Sequence, residues 1–261
     1  MEDPPSILVM NEDGSRKLAY RKLSRHKSIP ESHPGIIFIH GYLSNMATKK
    51  ALALEEMSRK LGISFVRFDL EGAGHSTGDK GSITFDYWLD DCLAVLNDLT
   101  KGPQLIVGSS IGGWLAMLIA RLRPQRIHSL VLLCPAVNYL KRSYDTYYKE
   151  LPLEGKKLLE EGYAYTFDSI FGEVVLSKSL YQSSLKFNID INSQLNISCP
   201  IRIIHGCADA IVSYKQSVQL MTIMESKDVD LHLRKNGSHS LSSPDDIELM
   251  LTTTQMLLAK E

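Results

Sequence analysis

Long apolar runs are missing from this chain of 261 residues, and so are blocks of one charge. No uninterrupted apolar stretch approaches the roughly 18 residues that a bilayer crossing needs, so no transmembrane segment is expected. Lys+Arg number 29 against Asp+Glu 30, a formal net charge of -1, and no Lys/Arg cluster runs beyond a few residues. That balance lacks the basic footprint of a nucleic-acid binder. Cysteines number only four, at 92, 134, 199 and 207. They are too few and too irregularly spaced for a disulfide scaffold or a zinc site, so a reducing compartment is expected and no metal. The start, Met1-Glu2-Asp3-Pro4-Pro5, is acidic and carries proline, and reads as neither a signal peptide nor an Arg-rich transit peptide. Repeats and low-complexity tracts are absent too. With 44% hydrophobic and 23% charged residues, the composition fits a single α/β domain over 1–261.

What is present is an alternation of strand and helix signals. Extended segments around Ile7 to Asn11 and Lys17 to Lys22 flank an Asp13-Gly14 hairpin turn. Ile36 to Ile39 is a continuous apolar run of the kind a doubly covered strand shows. A helix from about Thr48 to Leu61, with Ala51, Leu54, Ser58 and Leu61 on one face, should close at Gly62, before a strand over Ile63 to Leu70. The clearest helix runs from about Phe85 to Leu99, with Trp88, Cys92, Val95, Leu96 and Leu99 at helical spacing and acidic residues opposite. Strand Leu105 to Val107, helix Ile111 to Arg123 and strand Ser129 to Leu133 follow. Regularity then lapses over about 138–196, a stretch that holds half of the chain's aromatics, among them Tyr139, Tyr144, Tyr147, Phe167, Phe171 and Phe187. Inserts of that length are usually lids or binding elements, and a cap over an apolar pocket is the sharper reading. The plainer one is a helical excursion that spends its aromatics on a small core of its own. Strands Ile201 to Ile204 and Val229 to Leu233 and two more helices complete a mostly parallel sheet.

Directly after the run Leu105-Ile106-Val107 comes Gly108-Ser109-Ser110-Ile111-Gly112, and then a helix. A side chain stands free at so sharp a strand-to-helix turn only if its neighbours are small, and Gly108, Gly112 and Gly113 are. Ser110 is therefore read as a nucleophile at an elbow. Gly74-His75-Ser76-Thr77-Gly78 fits the same pattern but lies between polar, glycine-rich segments, so Ser76 reads as a loop residue, and Ser109 reads as packing.

A serine hydroxyl needs a general base and a group to orient that base. Functional groups in such sheets gather beyond the carboxyl ends of the strands. There this chain offers His205-Gly206-Cys207-Ala208-Asp209 and then Asn236-Gly237-Ser238-His239-Ser240, an acid followed by a histidine. The assignment is Ser110 as nucleophile, His239 as base and then acid, and Asp209 as its orienting carboxylate. His205 and His232 read as strand residues and Asp245 as a helix cap. The oxyanion donors are expected to be the backbone N–H of Ile111 and, from the loop His40-Gly41-Tyr42, that of Tyr42; losing one such donor typically costs about 3 to 4 kcal/mol in the barrier. His40 itself reads as a structural holder of that loop.

These residues resemble a known group. The whole chain looks like an α/β-hydrolase, with an eight-stranded, mostly parallel sheet, helices on both faces and a helical cap inserted after strand 6. Its segments Gly41-Tyr42-Leu43-Ser44-Asn45-Met46, Val107 to Leu115 and His205 to Asp209 are similar to the family of the tenth abhydrolase-domain protein. That resemblance implies a mitochondrial acyl-protein (palmitoyl) thioesterase, active also on acyl glucuronides, with Ser110, Asp209 and His239 as the triad and no cofactor. The implied partner is an acylated protein or a small acyl ester or thioester. The compartment is cytoplasmic or, by resemblance only, the mitochondrial matrix. His40 departs from the family, standing where mammalian members carry a proline. A monoacylglycerol lipase or general carboxylesterase is the alternative chemistry, and a ligand-binding protein on a hydrolase fold the non-enzymatic one.

Overall fold

The continuous apolar runs form the middle of one large sheet. In the computed structural model, which describes residues 3–169 and 172–260, the strands are β1 (Ser6–Val9), β2 (Lys17–Leu23), β3 (Gly35–Ile39), β4 (Phe65–Phe68), β5 (Gln104–Ser109), β6 (Ile127–Leu133), β9 (Ile201–Gly206) and β10 (Val229–Arg234). Their order across the sheet is β1-β2-β4-β3-β5-β6-β9-β10. Only the β1–β2 and β2–β4 pairs are antiparallel. Strands β3 and β5 are buried along their whole length, as residues covered on both faces must be.

The two-residue period of a strand sends neighbours to opposite faces. Ile37, Ile39, Ile106, Leu130 and Leu132 pack with helices α2 (Phe85–Ala94) and α3 (Ile111–Leu122) on one side. Ile36, Phe38, Leu105, Val107 and Val131 pack with α1 (Lys49–Leu61) and α8 (Pro244–Leu258) on the other. The α1 helix starts on the Thr48 hydroxyl, which accepts from the Ala51 N–H, and stops at Gly62, whose φ of 68° is the left-handed cap that glycine adopts freely. Its expected face is buried except at Leu61, on the last turn. The α2 stripe continues as a π-helical turn through Leu99. The acidic side of α2 is not all solvated: Asp91 turns inward and binds Arg16, just before β2.

Between β6 and β9 the insert forms α4 (Tyr139–Glu150), α5 (Leu153–Glu160), α6 (Lys178–Ser184) and a hairpin of β7 (Tyr165–Ser169) with β8 (Gly172–Leu176). The hairpin was not read from the sequence. Alternation in Tyr165-Thr166-Phe167 is too short to stand out, although these residues and Val174-Val175 favour strands. Phe171 lies outside the described residues. Helix α7 (Tyr214–Ile223) links β9 to β10, and α8 follows β10. Among the described residues, no helix is long and apolar enough to cross a membrane.

Candidate active site

Ser110 sits between the end of β5 and the first turn of α3 with φ 56° and ψ -118°, a conformation that L-residues rarely hold. Strain of this kind, about 1 to 3 kcal/mol, persists only where the surroundings over-determine it. Here the Ser110 N–H donates to Leu133 O at 2.8 Å, and its carbonyl accepts from Gly113 N and Ala136 N, both at 3.0 Å. The glycines are obligatory. A Cβ on Gly112 would lie 2.3 Å from Ile39 O, and one on Gly108 would lie 2.4 Å from Gly112 O.

The loops after β9 and β10 bring their acid and histidine to this serine. His239 Nδ1 lies 2.7 Å from Asp209 Oδ2, and His239 Nε2 lies 2.9 Å from Ser110 Oγ. The carboxylate beside Nδ1 fixes the proton there, so Nε2 presents its lone pair to the serine hydroxyl, which donates to it. The Asp209 side chain is wholly inaccessible, and its Oδ1 accepts the Ile211 and Val212 N–H groups, each at 2.8 Å. Burial alone would raise this carboxyl, but hydrogen bonds from His205 and His239 outweigh it and hold Asp209 well below the ordinary range.

Tyr42 follows β3 and lies over the elbow, where a Cβ on Gly41 would come 3.1 Å from Ser110 Cβ. His40 is buried; its Nε2 accepts the Leu70 N–H at 3.0 Å and its Nδ1 donates to Gly41 O at 2.7 Å. Burial keeps His40 below the usual imidazole range, so it stays neutral in this role. With no cis peptide among the described residues, fixing Gly41 O on one side of its peptide aims the Tyr42 N–H to the other. Ile111 is the first residue of α3, where an N–H has no acceptor within the helix.

Ser110 and His239 open into a cavity of about 360 Å³. Tyr42, Leu43, Tyr139, Tyr147, Val174 and Ile211 form its apolar lining, with Arg142, Ser143, Thr146 and Glu173 adding a polar wall. Of the insert's described aromatics only Tyr139 and Tyr147 reach it. Tyr144 stacks on Tyr148 and Tyr181 with centroids 5.3 and 4.2 Å apart, and Tyr147 meets Phe167 edge-on at 5.3 Å. Phe187 packs against Phe85 of the main core. The plainer reading therefore describes most of these rings and the sharper one describes two. The Tyr42 hydroxyl ties the loop after β3 to the insert by donating to Val175 O at 2.6 Å.

Other serines are occupied elsewhere. The Ser76 hydroxyl donates to Asp69 O and accepts from Ala19 N, which fastens its loop to β2. Asp245 lies in the first turn of α8 beside the Ser243–Asp246 capping box. Three groups near the site escaped the sequence reading. His205 reads in the sequence as a strand residue, yet its Nε2 lies 3.1 Å from Asp209 Oδ2. The signal was there in a polar ring four residues before the acid at the end of a buried strand. Lys50, buried on α1, donates to the Ser240 carbonyl next to His239. Cys134 completes the one group of metal-type ligands found among the described residues, its donor atom within 4.8 Å of those of Asp209 and His239. In that group Asp209 and His239 are already bonded to each other, and burial pushes the Cys134 thiol up to about 12, so a cation would have to displace both bond and proton.

A strained serine at an elbow of a largely parallel sheet, facing a histidine–carboxylate pair beyond two later strands, defines the class: the molecule is an α/β-hydrolase enzyme of the serine type. Residues 30–245 match the family described as "Serine aminopeptidase, S33". The chain is 38% identical over 257 residues to "Palmitoyl-protein thioesterase ABHD10, mitochondrial" of Bos taurus, covering 98% of this chain and 81% of that protein. The Homo sapiens protein of the same name is 37% identical over the same shares. The solved structure of α/β-hydrolase domain-containing protein 10 from mouse superposes with a TM-score of 0.80 at 35% identity, covering 98% of each chain. Est1E from Butyrivibrio proteoclasticus, with ferulic acid bound, shares the fold at a TM-score of 0.74 and 24% identity, over 97% of this chain and 100% of that one. The chain belongs to the ABHD10 family of α/β-hydrolases.

Proposed function

We propose that this hydrolase is an acyl-protein thioesterase that releases long-chain acyl groups, palmitoyl among them, from cysteine thiols. Ser110 Oγ attacks the thioester carbonyl as its proton passes to His239 Nε2, while Asp209 steadies the imidazolium that forms. The tetrahedral oxyanion is received by the Tyr42 and Ile111 N–H groups. Collapse breaks the C–S bond, and the cysteine sulfur leaves with the proton from His239. Water, deprotonated by the same nitrogen, then cleaves the acyl-serine. No step asks for a cofactor. The observation that carries this reading is the unbroken Asp209–His239–Ser110 chain of 2.7 and 2.9 Å contacts at a strained elbow. The names of the relatives support the substrate class and a mitochondrial location, which fractionation of tagged full-length protein would test. The insert over 138–196 acts as the cap of a single domain spanning 1–261.

The polar wall of Arg142, Ser143, Thr146 and Glu173 gives weight to a second substrate, an oxygen ester with a polar alcohol, as a carboxylesterase or monoacylglycerol lipase would take. Turnover of acyl-cysteine thioesters and oxygen esters of equal chain length separates the two. For the shared chemistry, a fluorophosphonate probe should label the protein covalently, and Ser110→Ala should abolish labelling and lower kcat by about 10⁴-fold or more. Retained turnover in Ser110→Ala overturns the assignment, and an unlabelled wild type points to a binding protein.

A further inference from the structure

His205, on β9, is fully buried, and every polar atom of its ring is engaged. Nε2 faces two acceptors, Asp209 Oδ2 at 3.1 Å and Val212 O at 3.0 Å. The proton therefore sits on Nε2 and leaves Nδ1 as a lone pair. Ser217 on α7 lies 2.7 Å from Nδ1, so its hydroxyl donates and locks the tautomer. Ser217 is itself wholly buried. Asp209 Oδ2 thus receives two imidazole N–H groups, one from His205 behind and one from His239 in front.

We infer that His205, its tautomer locked by Ser217, is a positioning residue for acyl transfer: its Nε2–H shares with His239 the one carboxylate oxygen that orients the base. The inference rests on the triad reading above and adds two residues to it. An apolar side chain would fill the same space, whereas a buried imidazole is costly unless all its polar atoms are bonded. Here one of those bonds falls on the oxygen that holds the His239 proton. Two effects follow. The donor keeps Oδ2 pointed at His239, and it draws off part of the oxygen's charge. Without it the carboxylate binds the imidazolium more strongly, and the base form needed for attack on the carbonyl is reached only at higher pH.

Other titratable and charged groups share the space around this pair, Glu173 and Arg142 of the cavity's polar wall among them. The Cys134 thiol and the Tyr139 phenol are both raised by burial, and buried His40 is lowered. Lys50, lowered by burial to about 8, is charged below that. The acid limb is therefore read as a difference between each variant and wild type, in which groups common to both cancel.

The test compares His205→Met, His205→Gln and Ser217→Ala with wild type and with Ser110→Ala. All are full-length, checked by circular dichroism and melting, and assayed on an acyl thioester across pH. For His205→Met we expect kcat to fall roughly 10-fold, the low end for losing a partner that orients a functional group, with KM nearly unchanged and the acid limb of kcat/KM displaced to higher pH. His205→Gln, whose side-chain amide offers an N–H where Nε2 stood, should restore most of kcat and return the limb. Ser217→Ala frees the tautomer and should shift both in the same direction by less. Folded His205→Met and Ser217→Ala proteins with wild-type kcat and limb overturn the inference. So does a His205→Gln protein as impaired as His205→Met with the limb unmoved, the mark of a packing role. Should His205→Met fail to fold, Ser217→Ala decides alone. Activity retained by Ser110→Ala would instead sink the triad reading.

Discussion

The rim of the sheet and the insert above it are held together in different ways. At the rim nearly everything is a directed bond: four donors converge on the Asp209 carboxylate, three hydrogen bonds fix the backbone of Ser110, and His40 pins the peptide before Tyr42. In the insert the cohesion comes from stacked and edge-on rings around Tyr144, Leu159 and Leu176. Directed bonds hold atoms to fractions of an ångström, which proton transfer and oxyanion binding require. Ring stacking is tolerant of shape, and the stacked rings lie behind Tyr139 and Tyr147, the insert aromatics that line the cavity. On the function proposed above, the two regions would divide the work, chemistry below and choice of substrate above.

The largest expected effect breaks the lower region alone. Asp209→Asn keeps the volume but removes the charge and turns an acceptor of imidazole N–H into a group that also donates, which favours the wrong tautomer of His239. The expected loss in kcat is about 10⁴-fold, by the same factor for short and long acyl chains and with KM little changed. A loss that depends on chain length would mean that the rim and the insert are not separable.

The converse change is smaller. Tyr144→Ala removes the ring that stacks on both Tyr148 and Tyr181, a cost of about 3 kcal/mol by analogy with other buried aromatic truncations. That cost should be confined to the insert. Hydrogen exchange should quicken in β7 and β8 and stay slow in β3 and β5, while kcat/KM falls more for long-chain than for short-chain thioesters. Equal falls for all chains, or exchange quickened across the sheet, would count against a separate upper region.

The same contrast governs what could be read from the chain. Sheet and flanking helices were legible because burial on fixed faces imposes a period: Ile36 to Ile39 as a doubly covered strand, Trp88 to Leu99 as a helical stripe. The elbow was legible because close backbone contact at Gly108 and Gly112 admits no other residue. The loops carrying Asp209 and His239 stood out by their place after strands. His205 was not legible as part of the site, because a histidine at the end of a strand looks alike whether it packs or donates; only the fold of the loop after β9 turns Asp209 back onto it. In the insert no face is repeated often enough to set a period, so its hairpin and its mutually stacked tyrosines left only an aromatic-rich composition as their trace.

The smallest effect asks whether the rim is as dry as its bonding implies. Lys50 is buried there with its ammonium on the Ser240 carbonyl, and burial lowers it to about 8 from an ordinary value near 10.5. Between those two values the unfolded chain binds the proton and the folded chain does not, so this group makes the folded state gain stability as pH rises through the interval. Below about 8 both states carry the charge, and the full cost of burying it is present. Buried Cys134 and half-buried Cys199, both raised to about 12, act in the opposite sense at alkaline pH, so the contribution must be read as a difference. Relative to Lys50→Met, the wild type should gain about 2 kcal/mol between about pH 8 and 10.4, at 1.36 kcal/mol per unit with an allowance for water in the adjoining cavity. Urea melts of both proteins across that range would measure it. A difference that stays flat with pH would mean that the ammonium is hydrated and that water reaches behind His239, so that the rim is no drier than the insert above it.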